Sequence, residues 1–136
     1  MRFFCSSYSR RETGNTAFVS LEGEKEQYVP RFMAAFEELY APVAPVECRA
    51  DKIGVQRFDS GEKAWIHLLN YRYDEQADRV LPAESLELTL RDVPGKAPEI
   101  LVPAGDPVPS YEIRREAEKM VLTLRNAGLY TVVAFG

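Results

Sequence analysis

Hydrophobic and polar residues alternate through most of the chain after residue 42. The clearest case is 86–91, where three leucines alternate with Glu, Thr and Arg. Successive side chains of a strand point to opposite faces of its sheet, so this pattern predicts strands with one face in a core and the other in water. The segments predicted as strands are 46–49, 53–58, 64–70, 86–91, 100–102, 120–125 and 129–135. Together they predict a mainly β fold, an antiparallel β-sandwich of about seven strands.

Turn-forming residues separate these segments and predict how the strands connect. Asp59-Ser60-Gly61-Glu62 precedes the strand at 64–70 and predicts a hairpin there. Asn126-Ala127-Gly128 predicts a second hairpin, between the last two strands. The stretch 71–83 is rich in charged residues, which favours a long solvated loop.

A segment whose apolar residues repeat with the period of an α-helix precedes the predicted sandwich. Apolar residues recur there at offsets of three and four, which places them on one face of an α-helix. These residues are Val29, Phe32, Met33, Phe36, Leu39 and Tyr40. Pro30 lacks an amide N–H and fits best in the first turn, so we expect a regular helix over 30–41 with a looser lead-in from Glu24. The apolar face needs cover, which predicts an interface with the sandwich or with another copy of the chain.

A proline-containing linker divides the chain into two parts. Pro42 and Pro45 end the helix and make 41–45 the best linker candidate. Two short strands, at 2–5 and 16–21, are predicted ahead of the helix, with a turn at 12–15 between them. We therefore expect a strand-helix segment over 1–42 and a β-sandwich domain over 43–136.

Length, composition and charge exclude several classes of protein. The 136 residues, 46% of them apolar, suit one compact domain or a small domain with an attached element. Seventeen basic and 21 acidic residues give a net charge of −4, so no basic excess is available for a nucleic acid or an anionic membrane. Apolar runs fall far short of the roughly 20 residues of a membrane span, and the first residues lack the apolar stretch of a secretory signal. We expect a cytoplasmic protein without nucleic-acid or membrane partners.

The residue types that carry chemistry do not form a catalytic or metal-binding pattern. Glu37 and Glu38 are neighbours on the helix and diverge by about 100°, so they cannot flank one scissile bond. His67 is the only histidine, which excludes a site made of several histidines. The acidic residues within 74–78 lack the spacing of a calcium loop. We expect no enzymatic activity from the chain alone, no metal and no cofactor.

The two cysteines, Cys5 and Cys48, are 43 positions apart and lack the close spacing of a zinc or redox pair. The simplest interpretation is that each is a small buried hydrophobe. A disulfide between them is the alternative, and it would require an oxidising compartment.

Aromatic residues around the strand at 64–70 suggest two kinds of contact. Trp65, His67 and Tyr71 can share one face of this strand and its exit, and Tyr73 follows closely. Packing between sheets or domains is one interpretation, since Trp and Tyr bury a large apolar area and leave a polar tip. The other is a flat platform for a sugar ring, formed by Trp65, Tyr71 and Tyr73.

Three strand segments together resemble a known family. They read Trp-Ile-His-Leu-Leu-Asn-Tyr over 65–71, Leu-Glu-Leu-Thr-Leu-Arg over 86–91 and Leu-Arg-Asn-Ala-Gly-Leu-Tyr-Thr-Val-Val over 124–133. In sequence and order they resemble the C-terminal β-sandwich of β-galactosidase-type glycoside hydrolases, notably glycoside hydrolase family 42. The strand and helix before the linker resemble the end of that family's flavodoxin-like trimerisation domain.

The resemblance implies a role without catalysis. The family's two catalytic glutamates lie in an N-terminal TIM barrel, and no position of this chain corresponds to either. It implies an accessory or scaffolding C-terminal region that packs against other domains of a glycoside hydrolase or against copies of itself. The alternative is a free-standing carbohydrate-binding β-sandwich module.

Overall fold

The structure is a computed structural model that describes residues 9–11, 14–16, 23–95 and 97–136. The chain divides into two compact units, Met1–Ala44 and Pro45–Gly136.

In its described residues the first unit contains a short hairpin and one helix. Strands β1 (Ser9–Arg11) and β2 (Gly14–Thr16) pair antiparallel. Helix α1 spans Lys25–Tyr40. The strand predicted at 2–5, and 17–21 of the strand predicted at 16–21, lie outside the described residues.

Helix α1 begins five residues before the predicted start at Pro30. Pro30 lies inside the helix rather than in its first turn, so the prediction of its position is wrong. The proline nitrogen cannot donate to the carbonyl of Glu26, four residues earlier. Glu26 is exposed, so water can solvate that carbonyl, and one missing bond near the helix start is tolerated.

The second unit is an antiparallel β-sandwich. The first sheet has the order β10 (Ser110–Glu116), β11 (Lys119–Arg125), β8 (Leu86–Arg91), β3 (Val46–Cys48). The second sheet has the order β4 (Ile53–Ser60), β5 (Lys63–Asn70), β12 (Tyr130–Phe135), β9 (Glu99–Leu101). The prediction of a mainly β fold, an antiparallel sandwich preceded by one helix, is confirmed.

Three details differ from the predicted strands. Strand β10 was not predicted, because four of its seven residues are charged and only Ile113 packs against the core. The predicted loop over 71–83 contains a small ladder of β6 (Tyr73–Asp74) and β7 (Arg79–Val80). The hairpin predicted around Asn126-Ala127-Gly128 is wrong, since β11 and β12 belong to different sheets. The chain crosses there from one sheet to the other, so both strands turn their apolar sides to the same core.

The core lies between the two sheets and is built from alternate residues of four central strands. Leu88 and Leu122 lie opposite each other on β8 and β11 and are fully buried. The buried core residues of these strands are Ala64, Ile66, Leu68, Leu86, Leu88, Leu90, Met120, Leu122, Leu124, Val133 and Phe135. The outward residues between them face away from the core, which gives each sheet a separate outer face.

Arg57 ties the two sheets together at one end of the sandwich. Its side chain is 7% exposed, and Nε donates to the carboxylate of Asp59 at 2.8 and 3.0 Å. Nη1 donates to the carbonyls of Pro45 at 2.8 Å and Arg91 at 2.5 Å, and Nη2 to that of Asp92 at 2.8 Å. One guanidinium on the second sheet thus serves backbone acceptors around β3 and β8 of the first sheet.

Asn70 closes the opposite end of β5. It is 3% exposed, and its Nδ2 donates to the carbonyl of Leu81 at 2.8 Å and of Ala127 at 3.5 Å. Its Oδ1 accepts from the amide of Arg72 at 3.0 Å. This side chain therefore holds the segment after β5 and the crossover between β11 and β12 in place.

Thr131 offers a way to stabilise the sandwich. It is 1% exposed, lies opposite Leu68 and faces the core, and its Oγ1 has no hydrogen-bond partner. A buried hydroxyl without a partner costs free energy that a methyl group of similar volume does not. We expect Thr131→Val to raise the free energy of unfolding by about 1 kcal/mol in urea denaturation. The matched control is Thr89→Val, at a partly buried position on the outer face of β8. It should change the free energy of unfolding by less than about 0.5 kcal/mol. A loss of stability in Thr131→Val would contradict this expectation.

Candidate functional site

The outer face of the first sheet is charged. Lys119 Nζ and Arg114 Nε lie 3.1 and 2.8 Å from the carboxylate oxygens of Glu116. Hydrogen bonds, first from Lys119 and then from Arg114, hold the pKa of that carboxyl below its usual value. Arg125 and Glu112 form a longer pair at 3.7 Å on the same face. These exposed ion pairs are typical of a solvated surface.

The outer face of the second sheet is rich in aromatic and aliphatic side chains at its centre, with polar residues such as Gln56, Lys63 and Glu99 toward its margins. On β5 the core residue Ile66 alternates with Trp65 and His67, which therefore point outward. Phe58 on β4 lies opposite Trp65, and Tyr130 on β12 lies opposite Leu69. We call this surface the aromatic face, and its residues are Phe58, Trp65, His67, Leu69, Tyr71, Leu101 and Tyr130.

His67 forms the centre of the aromatic face. Its Nδ1 lies 2.5 Å from the hydroxyl oxygen of Tyr130, a hydrogen bond that joins β5 to β12. The Phe58 ring meets the imidazole edge to face, with centroids 5.1 Å apart and planes at 82°. These contacts fix three rings from three strands, so the surface is organised before anything binds to it.

Tyr71 extends the aromatic face beyond the end of β5. Its ring covers Gly54, where a Cβ atom would lie 2.9 Å from Cε2 of Tyr71. Glycine is therefore required at this position for the ring to rest on the sheet. Tyr71 is 61% exposed, the most exposed aromatic residue of the face.

The structure separates the three residues predicted to bind a sugar. Trp65 and Tyr71 lie on the aromatic face, toward opposite ends of β5, and Trp65 is half-buried. The Tyr71 ring lies beside Leu69, which is four steps along the strand and about 13 Å from Trp65, so the Trp65 and Tyr71 rings do not form one continuous stacking surface. Tyr73 lies on β6, where its hydroxyl donates to Asp78, and this bond raises the pKa of the tyrosine.

Phe58, Leu101 and Tyr130 belong to the same face and were not predicted as site residues. They could have been found by asking which residues of each strand point inward, because their neighbours then point outward. Ile100 and Val133 pack inward, so Leu101 and Val132 face outward. Strand pairing is also needed to place them beside Trp65.

The residues predicted as an interface lie along α1. Phe32, Met33, Phe36 and Tyr40 are 43–49% exposed, while Val29 and Leu39 are partly buried. The rings of this face form a ladder along the helix, with centroids 6.4 Å apart from Phe32 to Phe36 and 4.9 Å apart from Phe36 to Tyr40. Their role as an interface stays a prediction.

An open cleft of about 800 Å³ lies at the end of the sandwich that carries Arg57. It is lined by side chains of both signs, including Lys63, Glu62 and Asp92. Because the donors of Arg57 are engaged by Asp59 and by backbone carbonyls, the cleft does not present this guanidinium to an anion.

Metal-binding clusters and membrane-crossing helices are not found in the described part of the chain. Among residues 9–11, 14–16, 23–95 and 97–136, no three His, Cys, Asp or Glu side chains are grouped to hold a metal ion. Over the same residues no helix is long and apolar enough to cross a bilayer. Cys48 is a free, partly buried cysteine, and burial raises the pKa of its thiol. Cys5 lies outside the described residues.

Comparisons with protein families, with curated proteins and with solved structures find no match to this chain.

Proposed function

We propose that the chain is a non-catalytic accessory region of a β-galactosidase-type glycoside hydrolase, and that it packs through its aromatic face against a neighbouring domain. The observation that carries the proposal is the contrast between the two outer faces of one sandwich. Ion pairs cover the first sheet, whereas Phe58, Leu69 and Leu101 are 40–48% exposed on the second. Apolar surface of this kind is stabilised when a partner removes it from water.

The size of the aromatic face favours a partner held nearby. Three strands of six to eight residues and one of three residues, spaced about 4.8 Å apart, give a surface of roughly 400 Å². Two freely diffusing proteins that form a stable complex each bury about 800 Å². Contacts between domains of one chain are smaller and are helped by the high effective concentration of a tethered partner. A scaffolding region within a larger enzyme fits this size.

The family resemblance supports the same proposal. Its three sequence segments coincide with β5, β8 and the passage from β11 into β12. These elements supply most of the core, so what resembles the family is the part that builds the sandwich. A structural role in the parent enzyme is the corresponding function.

An activity assay tests the absence of catalysis. We expect the purified chain to give no turnover of aryl galactosides above the rate of a heat-denatured sample. Turnover that is abolished by substitution of a single Glu or Asp would defeat the proposal.

A binding experiment tests the docking surface. We expect the chain to co-purify with a family 42-type β-galactosidase that lacks its own C-terminal region, and Leu69→Lys to weaken this association at least tenfold. The matched control is Thr89→Lys, which adds the same charge to the outer face of the first sheet and should bind like the wild type. Failure of the wild type to bind, or equal binding by both variants, would contradict docking through the aromatic face.

A carbohydrate-binding module is the second candidate, favoured by the exposure of the Tyr71 ring. Trp65 lies on the same face and can report on binding by its fluorescence. If docking to protein is the function, millimolar galacto-oligosaccharides should leave the Trp65 emission unchanged. A saturable shift that disappears in Tyr71→Ala, and in Gly54→Ala because its new methyl group displaces the ring, would instead favour sugar binding.

A further inference from the structure

Strand β4 is an unusual sheet edge. The sandwich has four edges in the part of the chain that the structure describes, formed by β10, β3, β4 and β9. Strands β3 and β9 have three residues each, and β10 carries Glu112, Arg114, Arg115 and Glu116. Short length and charge are the usual protection of an edge against pairing with another chain. β4 has eight residues and contains neither lysine nor proline.

The geometry of β4 leaves it ready to accept another strand. It pairs with β5 over eight consecutive residues without a bulge, so its backbone is regular. Its two charged residues, Arg57 and Asp59, bind each other, and the Arg57 side chain is 7% exposed. On the outer face, Phe58 is 48% exposed beside the edge.

The side chains of β4 select one way of pairing with a second copy. In an antiparallel pair, residues on the same face lie opposite each other, so an outward residue of one β4 meets an outward residue of the other. The register that places Arg57 opposite Arg57 of the second copy sets like charges together. Registers that place Phe58 or Gln56 opposite Gly54 meet the Tyr71 ring that covers this glycine.

One register that pairs at least five residues of each β4 strand remains, and it is self-complementary. Phe58 lies opposite Phe58 of the second copy, and the aromatic pair is favourable. Arg57 then lies opposite Asp59 of the second copy on the inner side, so two residues of like charge do not face each other and each guanidinium keeps its contacts within its own chain. Gln56 lies opposite Ser60 on the outer side.

We infer that two copies of the chain associate through antiparallel pairing of their β4 strands, centred on Phe58, into one continuous eight-stranded sheet. The contact is isologous, because the same strand serves both copies about a two-fold axis. It leaves most of the aromatic face open and does not rest on the proposed docking function. The small number of paired residues predicts a reversible dimer seen at tens to hundreds of micromolar rather than at nanomolar concentration.

Sedimentation velocity of the full chain tests association. We expect a concentration-dependent shift to twice the mass of the single chain, and Phe58→Lys should weaken it at least tenfold by placing two ammonium groups at the two-fold axis. Leu69→Lys, on the aromatic face but away from the edge, should leave it unchanged. A chain that stays monomeric at all concentrations, or a dimer lost in Leu69→Lys and kept in Phe58→Lys, would overturn the inference. The docking proposal depends on Leu69, so the two proposals fail separately.

Cysteine cross-linking tests the register. In a chain with Cys5→Ser and Cys48→Ala, Phe58→Cys should form an intermolecular disulfide under mild oxidation, because directly opposite Cβ atoms are within reach of one. Gln56→Cys alone should cross-link at least tenfold less, whereas its mixture with Ser60→Cys should cross-link. Equal cross-linking of the single variants Phe58→Cys and Gln56→Cys would exclude this register and overturn the inference.

Discussion

Replacement of Arg57 by methionine should lower the free energy of unfolding by about 2–4 kcal/mol, measured by urea denaturation at neutral pH. The methylene stem would still pack, but the guanidinium would be lost. The carbonyls of Pro45, Arg91 and Asp92 would then lose donors at 2.5–2.8 Å, in a region where the arginine itself is 7% exposed. The Arg91 carbonyl is partly buried, so it would be left without a donor where water has limited access, whereas water can replace the donor at the exposed residues Pro45 and Asp92.

The matched control for Arg57 is Arg114→Met. Arg114 is also a strand arginine with an acidic partner two residues away, but its side chain is 68% exposed. An exposed ion pair contributes at most about 1 kcal/mol, so this control should be nearly silent. Arg57→Lys should lie between the two, because an ammonium keeps the charge but cannot reach four acceptors at once. A cost for Arg57→Met as small as that for Arg114→Met would show that the link between the sheets is not stabilising.

Alternation along the chain was sufficient to predict the strands that build the core, but not the charged edge strand β10 and not the partner of each strand. The alternating leucines of β8 and the alternating burial along β5 show which side chains point inward. Two sheets that each bury one face in this way form a sandwich. Residues 126–128 look like a hairpin turn, yet the chain there changes sheets. The local sequence indicates that a turn occurs. Whether β12 pairs with β11 or crosses to the other sheet depends on distant strands, because β8 pairs with β11 and β5 pairs with β12.

The candidate site shows the same limit. Trp65 and Tyr71 could be predicted to share a face because they lie on or next to one strand. Phe58 lies opposite Trp65 across the hairpin that residues 59–62 predict, so its place beside Trp65 could have been derived locally. Tyr130 joins them only through pairing across 61 positions of the chain, which the sequence does not encode locally. Arg57 was equally hidden, because a charged residue in an amphipathic strand is expected in water, and its burial depends on acceptors that β3 and β8 bring to it.

Asn70→Asp should be the most pH-sensitive substitution in the sandwich. The Nδ2 group that donates to the carbonyls of Leu81 and Ala127 would be replaced by an oxygen that repels them. With this carboxylate ionised and buried, we expect a loss of about 3–4 kcal/mol at pH 7. Asn70→Ala, which removes the donors without adding a charge, should lose about 1–3 kcal/mol.

The pH dependence of stability separates these two variants. Burial and the facing carbonyl oxygens disfavour the charged form, so the pKa of the introduced carboxyl is raised in the folded protein above its unfolded value of about 3.9. The unfolded chain then releases its proton first as pH rises, and stability falls through the window between the two pKa values. Below that window the protonated carboxyl can donate to Leu81, which replaces one of the lost bonds. Urea denaturation at pH 4 and pH 7.5 should therefore show Asn70→Asp approaching Asn70→Ala at the lower pH and falling below it at the higher. A difference between the variants that is the same at both pH values would mean that the position 70 side chain is hydrated, and that the two loops are held by their backbone bonds alone.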